Sequence, residues 1–368
     1  MKVLFLVGNA KQNGGTEVLA RNLCTALNAR GVESRLLSAD ELVPSCNGIW
    51  TVIDKLLGGR LTDKRLAKAV AVEAKAWGAD WVVGHTYDYV AAIPAGGSWK
   101  IAQVFNWSIC GYEKGYRSYI NNKRGISRLL SLWSFAVKRY LWHSAITKLD
   151  RLVVLSNAAR KEVTAVCPKV DEQKVVVIPD PIMAAEPSKM ISSLKNKRVI
   201  FVGRLSQEKG VLRLLRIWER IHRALPGWTL AIYGDGHKRG EMDEYISRRQ
   251  IDGVAFMGFC RNLEQIYTSA DLLLMTSDTE GFGMVLIEAM YYGVPCVSFD
   301  CPVSPKEIIG DAGVTVKCFD EDEYAKKVVE LLKDSARMQR LQNSAIKRAM
   351  DFYIDKVVAL WKDVINVV

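Results

Sequence analysis

The chain has 368 residues, more than one hydrophobic core ordinarily supports, so two domains are expected. A composition 49% hydrophobic and 25% charged excludes a disordered protein, and no apolar run approaches the ~20 residues of a spanning helix. The net charge of +11 leaves three readings open: nucleic acid, an anionic membrane surface, or a solvated basic face.

In chain order, the first apolar stretch, Val3–Val7, reads as a buried strand. It is too short for a secretory signal and no small-residue cleavage site follows it, so the chain is expected in the cytoplasm. It runs into "VGNAKQNGGTEVLARNL", where Gly14 and Gly15 precede a helix opened by Thr16 and Glu17. Such glycines let backbone N–H groups approach an anion, and a helix N-terminus adds positive potential. The stretch matches neither G-x-G-x-x-G nor the P-loop, and a plain strand–helix turn fits it as well. Strands are then expected at Trp81–Val83, Lys100–Phe105 and Leu152–Leu155, the first two followed closely by His85 and Asn106.

Between Tyr112 and Arg151 stand nine Lys/Arg against Glu113 and Asp150, more than half of the net charge. Within this stretch Ile126, Leu129, Leu130, Trp133, Val137, Tyr140 and Leu141 recur at three- and four-residue steps. That is an amphipathic helix, expected to pack its apolar stripe on the N-terminal sheet and leave a basic, aromatic surface for an anionic membrane. No finger, RNP or helix-turn-helix pattern accompanies the charge, so nucleic acid is not expected. A linker follows around Pro179, Pro181 and Pro187.

The second half repeats the rhythm, with strands at Arg198–Val202, Thr229–Tyr233, Val254–Met257, Leu272–Met275 and Pro295–Phe299. Short, nearly all-apolar strands alternating with helices indicate doubly wound α/β units with parallel sheets. In such sheets chemistry lies in the turns after the strands. After Val202 come Gly203, Arg204 and Lys209, a guanidinium fork and an ammonium suited to a diphosphate. After Met275 comes "SDTEGFGMVLIEAMYYG". A helix starting near Gly283 places Glu280 before its N-terminus and Glu288 inside it, about 10 Å apart at ~1.5 Å per residue. The backbone N–H groups around Gly281, Phe282, Gly283, Met284 and Val285 fall between these carboxylates. Hydroxyls at each end and a diphosphate in the middle describe a nucleotide sugar; the alternative is that Glu280 caps the helix dipole and Glu288 is a solvated helix residue. Glu288 stands among Leu286, Ile287, Ala289 and Met290, so partial burial and a polar partner are expected. Asp320-Glu321-Asp322 imitates a metal-binding D-x-D but opens a helix, where acids complement the dipole, so no metal is expected. The eight cysteines are scattered without C-x-x-C and read as reduced thiols.

"VGRLSQEKG", "YGDG", "VAFMGF", "ADLLLMTSDTEGFGMVLIEAMYYGVPCV" and "CPVSPKEII", in this order, resemble retaining glycosyltransferases of family 4 over residues 198–316. "GGTE" and "LDRLVVLSNAARKEV" extend the resemblance into the first half. It implies the GT-B fold: two Rossmann-like domains facing each other across a donor-binding cleft. Residues 1–180 would form the acceptor side, 188–354 the nucleotide-sugar side, and 355–368 would pack back on the first domain. It also implies roles. Glu288 would hold the ribose, Glu280 the donor sugar, and Arg204 and Lys209 the diphosphate, with Gly14 and Gly15 approaching it. The turn carrying Met257 and Phe259 would face the base. Retention by same-face attack is implied, with no enzymic nucleophile, no cofactor and no metal. Where the family often has a histidine after the strand, this chain has Asn106, which does not titrate near neutrality; His85 is the other candidate for a sugar or acceptor contact. The donor expected is a UDP-sugar and the acceptor a membrane glycan or glycolipid such as lipopolysaccharide. The alternatives are a GT-B-type sugar-nucleotide epimerase and a non-catalytic basic membrane-binding scaffold.

Overall fold

The computed structural model describes residues 1–366 except 12–14, 44–52, 55, 58, 59, 86, 107 and 304. The chain divides into two compact units, Met1–Asp180 with Val357–Val368, and Pro181–Lys356. Each is a six-stranded, wholly parallel sheet flanked by helices, the doubly wound α/β architecture read from the sequence.

In the first unit the strands are β1 (Lys2–Val7), β2 (Glu33–Ser38), β3 (Trp81–Gly84), β4 (Lys100–Phe105), β5 (Arg151–Val154) and β6 (Val175–Val177), in the order β2-β1-β3-β4-β5-β6. The order reverses between β1 and β3, so their carboxyl ends flank a topological switch point. The final helix, Ile354–Asn366, lays Trp361 edge-on against Phe5 at 5.7 Å, and its Ile365 carbonyl accepts from Trp81 Nε1 at 3.0 Å.

The second unit holds β7 (Arg198–Val202), β8 (Thr229–Tyr233), β9 (Val254–Gly258), β10 (Leu272–Met275), β11 (Cys296–Phe299) and β12 (Gly313–Val316), in the order β12-β11-β10-β7-β8-β9. Its switch point lies between β7 and β10. The Val211–Ala224 helix buries Leu214, Leu215, Trp218 and Ile221 against this sheet, a stripe at three- and four-residue steps.

The sequence reading missed β2, β6 and β12, and all three are edge strands. An edge strand is short and covered less completely, so its residues need not form the apolar run that marks a central one.

The helix Gly125–Ile146 departs from its expected orientation. Ile126, Leu129, Leu130, Trp133 and Tyr140 do not pack on the sheet; they are exposed, Ile126 by 75% and Trp133 by 63%. The buried face carries Ser131, Phe135, Trp142 and Ile146, with Phe135 stacked on Tyr116 at 4.6 Å. Apolar residues occur on more than one face of this helix, so spacing alone did not select the one that packs.

Gly210 sets the geometry at the second switch point. It lies in the left-handed region at φ 64°, and a Cβ there would stand 2.0 Å from the Thr276 carbonyl oxygen. Gly210→Ala should therefore lower stability by about 1–3 kcal/mol through strain in the left-handed region, with the backbone clash adding to it. Urea denaturation tests this; an unchanged midpoint would show that the loop relaxes at no cost.

Candidate active site

The two loops that leave β7 and β10 are laced together by the backbone and by short polar side chains. Thr276 Oγ1 donates to the Lys209 carbonyl at 3.1 Å, and the Asp278 amide donates to the Glu208 carbonyl at 2.8 Å. Arg213 donates from the helix behind to the Thr276 carbonyl at 2.9 Å and to Asp278 Oδ1 at 2.8 Å. Its guanidinium lies 3.9 Å from the centroid of the Phe319 ring, which fixes the fork in place.

This lacing brings Lys209 and Glu280 together. The ammonium donates to both carboxylate oxygens, at 2.7 and 2.9 Å, and Ser277 Oγ donates to Oε1 at 2.5 Å. The side chains are only 23% and 7% exposed. An ionised carboxylate has about four lone-pair positions, so three donors leave Glu280 one more hydrogen bond to accept. Arg204, on the same loop, is not drawn into the pair: its side chain is 73% exposed, with Nη1 4.0 Å from Glu208 Oε1.

Gly283 caps the helix Met284–Tyr291 from the left-handed region, at φ 100°. A helix start leaves its first N–H groups without intrahelical partners, which directs those of Met284 and Val285 outward along the axis. Gly281 and Phe282 are buried just before it, with Phe282 edge-on to Phe352 at 5.8 Å. Inside the helix, Glu288 has the polar partner its apolar neighbours called for. The Tyr267 hydroxyl donates to Oε2 at 2.7 Å, and the Tyr267 ring stacks on Tyr292 at 5.7 Å. Burial pushes the Glu288 carboxyl up to about 7, against the opposing pull of that hydrogen bond. Met257 and Phe259 lie at and beyond the end of edge strand β9, 48% and 75% exposed.

In the first unit, His85 and Asn106 follow β3 and β4 and touch: Asn106 Nδ2 donates to His85 Nδ1 at 3.2 Å. That bond places the ring proton on Nε2. His85 is 2% exposed and its pKa is pulled down to about 4 by burial, so the ring is neutral across the physiological range. Gly15 opens the helix Gly15–Asn28, and a Cβ there would meet nothing within 4 Å. Gly14 lies outside the described residues.

The acidic run 320–322 is occupied otherwise. Asp320 caps the helix Glu321–Lys333, Glu321 pairs with Arg216 at 2.6 Å, and Asp322 pairs with Arg220 at 2.7 Å. Among the described residues no group of three His, Cys, Asp or Glu side chains is placed to hold a metal.

Residues 13–185 match the profile described as Glycosyltransferase Family 4, and residues 185–348 the profile described as Glycosyl transferases group 1. The chain belongs to the group 1 glycosyltransferases. Among relatives of this family, it is 32% identical over 173 residues to the amylovoran biosynthesis glycosyltransferase AmsD of Erwinia amylovora, covering 47% of this chain and 49% of the relative. It is also 32% identical over 170 residues to an N-acetylgalactosaminyltransferase of Campylobacter jejuni whose name specifies an undecaprenol-linked glycan, covering 45% and 47%. The chain thus matches about half the length of these relatives. Its fold is similar to that of Anabaena HepE, solved in complex with UDP, at 16% identity and a TM-score of 0.72 over all of both chains.

Three residues that hold these candidate site groups in place went unread in the sequence. Arg213 stands four positions after Lys209, in the first turn of the helix Val211–Ala224 that follows Gly210. Ser277 is three residues before Glu280 and resembles any turn serine. Tyr267 stands 21 positions from Glu288, and nothing local connects them.

The raised Glu288 pKa has a stability consequence. A carboxyl raised in the folded state contributes stability that is complete below its ordinary pKa and is lost as pH rises through about 7. The melting temperature of Glu288→Gln should therefore rise relative to the parent between about pH 5 and about pH 8.5, by about 2–4 °C per kcal/mol removed. A difference that stays constant across this range would mean that Glu288 ionises as freely as a surface carboxyl.

Proposed function

We propose that this protein is a retaining, metal-independent hexosyltransferase that moves a sugar from a nucleotide-diphospho sugar, in the first place a UDP-sugar, to a membrane-associated glycan or glycolipid such as lipopolysaccharide. The observation that carries the reading is the Lys209–Glu280 pair, set on adjoining strand-end loops beside the N-terminus of the helix that carries Glu288. The envelope-glycan names of the relatives and the UDP bound by the Anabaena neighbour support it.

In this reading each group has one task. Glu288 accepts from the ribose through Oε1, its other oxygen being engaged by Tyr267. The amides of Gly281 to Val285, with Arg204 and Lys209, receive the diphosphate. Glu280 accepts a hydroxyl of the donor sugar through its remaining lone pair. As the bond from the anomeric carbon to the diphosphate oxygen breaks, that oxygen gains negative charge, and Lys209 offsets it. The acceptor oxygen bonds the anomeric carbon on the same face, and its proton passes to the departing diphosphate. Met257 and Phe259 offer exposed apolar surface to the base. On the acceptor side Asn106 makes the polar contact and neutral His85 orients it.

The protein would work at the inner face of the cytoplasmic membrane. Exposed Ile126, Leu129, Trp133 and Tyr140 suit the interfacial zone, and the surrounding Lys and Arg suit anionic headgroups at about 1 kcal/mol each.

Radiolabelled UDP-, GDP- and ADP-sugars incubated with the protein and membrane glycolipid extracts test the reaction. Label transferred from a UDP-sugar to lipid is the expected result; isomerised donor without transfer would replace the proposal with an epimerase. Lys209→Ala should lower kcat by about 10²–10³-fold, and full turnover would remove the residue from the leaving-group role. Flotation with vesicles should show anionic-lipid binding that fades with salt, and Trp133→Ser should weaken it by about tenfold. Salt-insensitive binding to neutral vesicles would contradict docking by charge.

A further inference from the structure

The first unit contains a cavity of about 1060 Å³. Its walls come from the helices Ile109–Asn121 and Gly125–Ile146 and from the turn at Cys167–Lys169. None of Arg204, Lys209, Glu280 and Glu288 lines it; all four belong to the other unit.

Two chemistries meet there. Ile120, Leu132, Phe135 and Tyr140 form an apolar wall, and Arg117, Arg139 and Lys169 bring three cations to it. Arg139 Nε stands 2.9 Å from Glu113 Oε1, yet neither atom makes an aligned hydrogen bond, and buried His143 Nε2 makes none either. Arg117 and Lys169 are exposed and form no ion pair among the described residues. Buried polar atoms without partners are costly unless something else satisfies them.

A ligand suited to this site needs hydrocarbon for the wall and anionic oxygens for the cations. Inorganic phosphate leaves the wall uncovered, and an uncharged lipid brings no counter-charge to the exposed Arg117 and Lys169. Leu132 and Tyr140 both line the cavity and reach solvent, 44% and 73% exposed. The same helix exposes Leu129, Leu130 and Trp133 nearby, so the opening adjoins its apolar surface.

We propose that this cavity binds one phosphorylated membrane lipid, its chain along Ile120, Leu132 and Phe135 and its phosphate on Arg117, Arg139 and Lys169. The inference goes beyond the transfer reaction, because it requires neither donor nor sugar. It also differs from surface docking, because a lipid presented one molecule at a time should bind.

Calorimetric titration of the full chain with dioctanoyl phosphatidic acid, kept below its micelle concentration, tests it. Binding of one lipid per chain is expected. Ala136→Trp, which fills the cavity from its wall, and the double variant Arg117→Gln/Lys169→Gln should each weaken binding at least tenfold. Both should keep the parent's melting temperature and its affinity for UDP. Equal binding of dioctanoylglycerol, which lacks the phosphate, would overturn the role of the cations. Inorganic phosphate binding as tightly as the lipid would reduce the site to an anion pocket. Undiminished binding by a folded Ala136→Trp would place the lipid outside the cavity. Loss of vesicle flotation in Trp133→Ser with this titration intact would separate the two membrane contacts.

Discussion

In the second unit two loops that are distant in sequence meet at one buried ion pair, and the candidate site is arranged around it. Lys209 and Glu280 are 71 positions apart, and they meet because β7 and β10 lie side by side in a parallel sheet. Parallel pairing puts both carboxyl ends on the same edge, so the turns that follow must share space. The pair is largely shielded from water. Taking two charges out of water offsets most of what their attraction contributes, so such a pair is poor evidence of stabilisation. Its value lies in position: an ammonium and a carboxylate held at known places beside a helix N-terminus.

The two glutamates of this region show how environment assigns different work to the same side chain. Glu280 is surrounded by donors, with Lys209 on both oxygens and Ser277 on one. Glu288 has a single neutral donor and an apolar setting, and its pKa rises to about 7. Glu280 is engaged by an ammonium and a hydroxyl, while Glu288 changes charge close to neutrality. In the proposed reaction they are separate contacts along one extended ligand and not an acid–base couple, in keeping with their places on either side of a helix start.

The first unit puts its unusual feature on a helix. Gly125–Ile146 uses Phe135, Trp142 and Ile146 to hold itself to the unit, and leaves Ile126, Leu129 and Trp133 in solvent. A helix packed on one face and apolar on another has surface that water does not favour. Basic residues around that surface and the cavity beside it are the features on which the proposed lipid contacts rest. The buried, neutral His85 and its contact with Asn106 belong to a different part of the same unit, at the ends of β3 and β4.

Much of this was legible in the amino-acid order. Central strands declared themselves as apolar runs because both of their faces are covered. Lys209, Glu280 and Glu288 stood out because their roles are set by local context, a strand end or a helix start. Edge strands β2, β6 and β12 lacked that signature because their surroundings are incomplete. The face on which Gly125–Ile146 packs was not encoded in its spacing, since apolar residues point in more than one direction. Sequence alone therefore determined the parallel α/β class, its two-part repetition and the candidate groups Arg204, Lys209, Glu280 and Glu288. Tertiary structure decided which of those groups touch, that Tyr267 donates to Glu288 and Arg213 braces the loops, and that a cavity lies beside a helix with exposed apolar residues. Those outcomes come from packing between segments far apart in the chain, and no local pattern of residues records which distant surface will cover it.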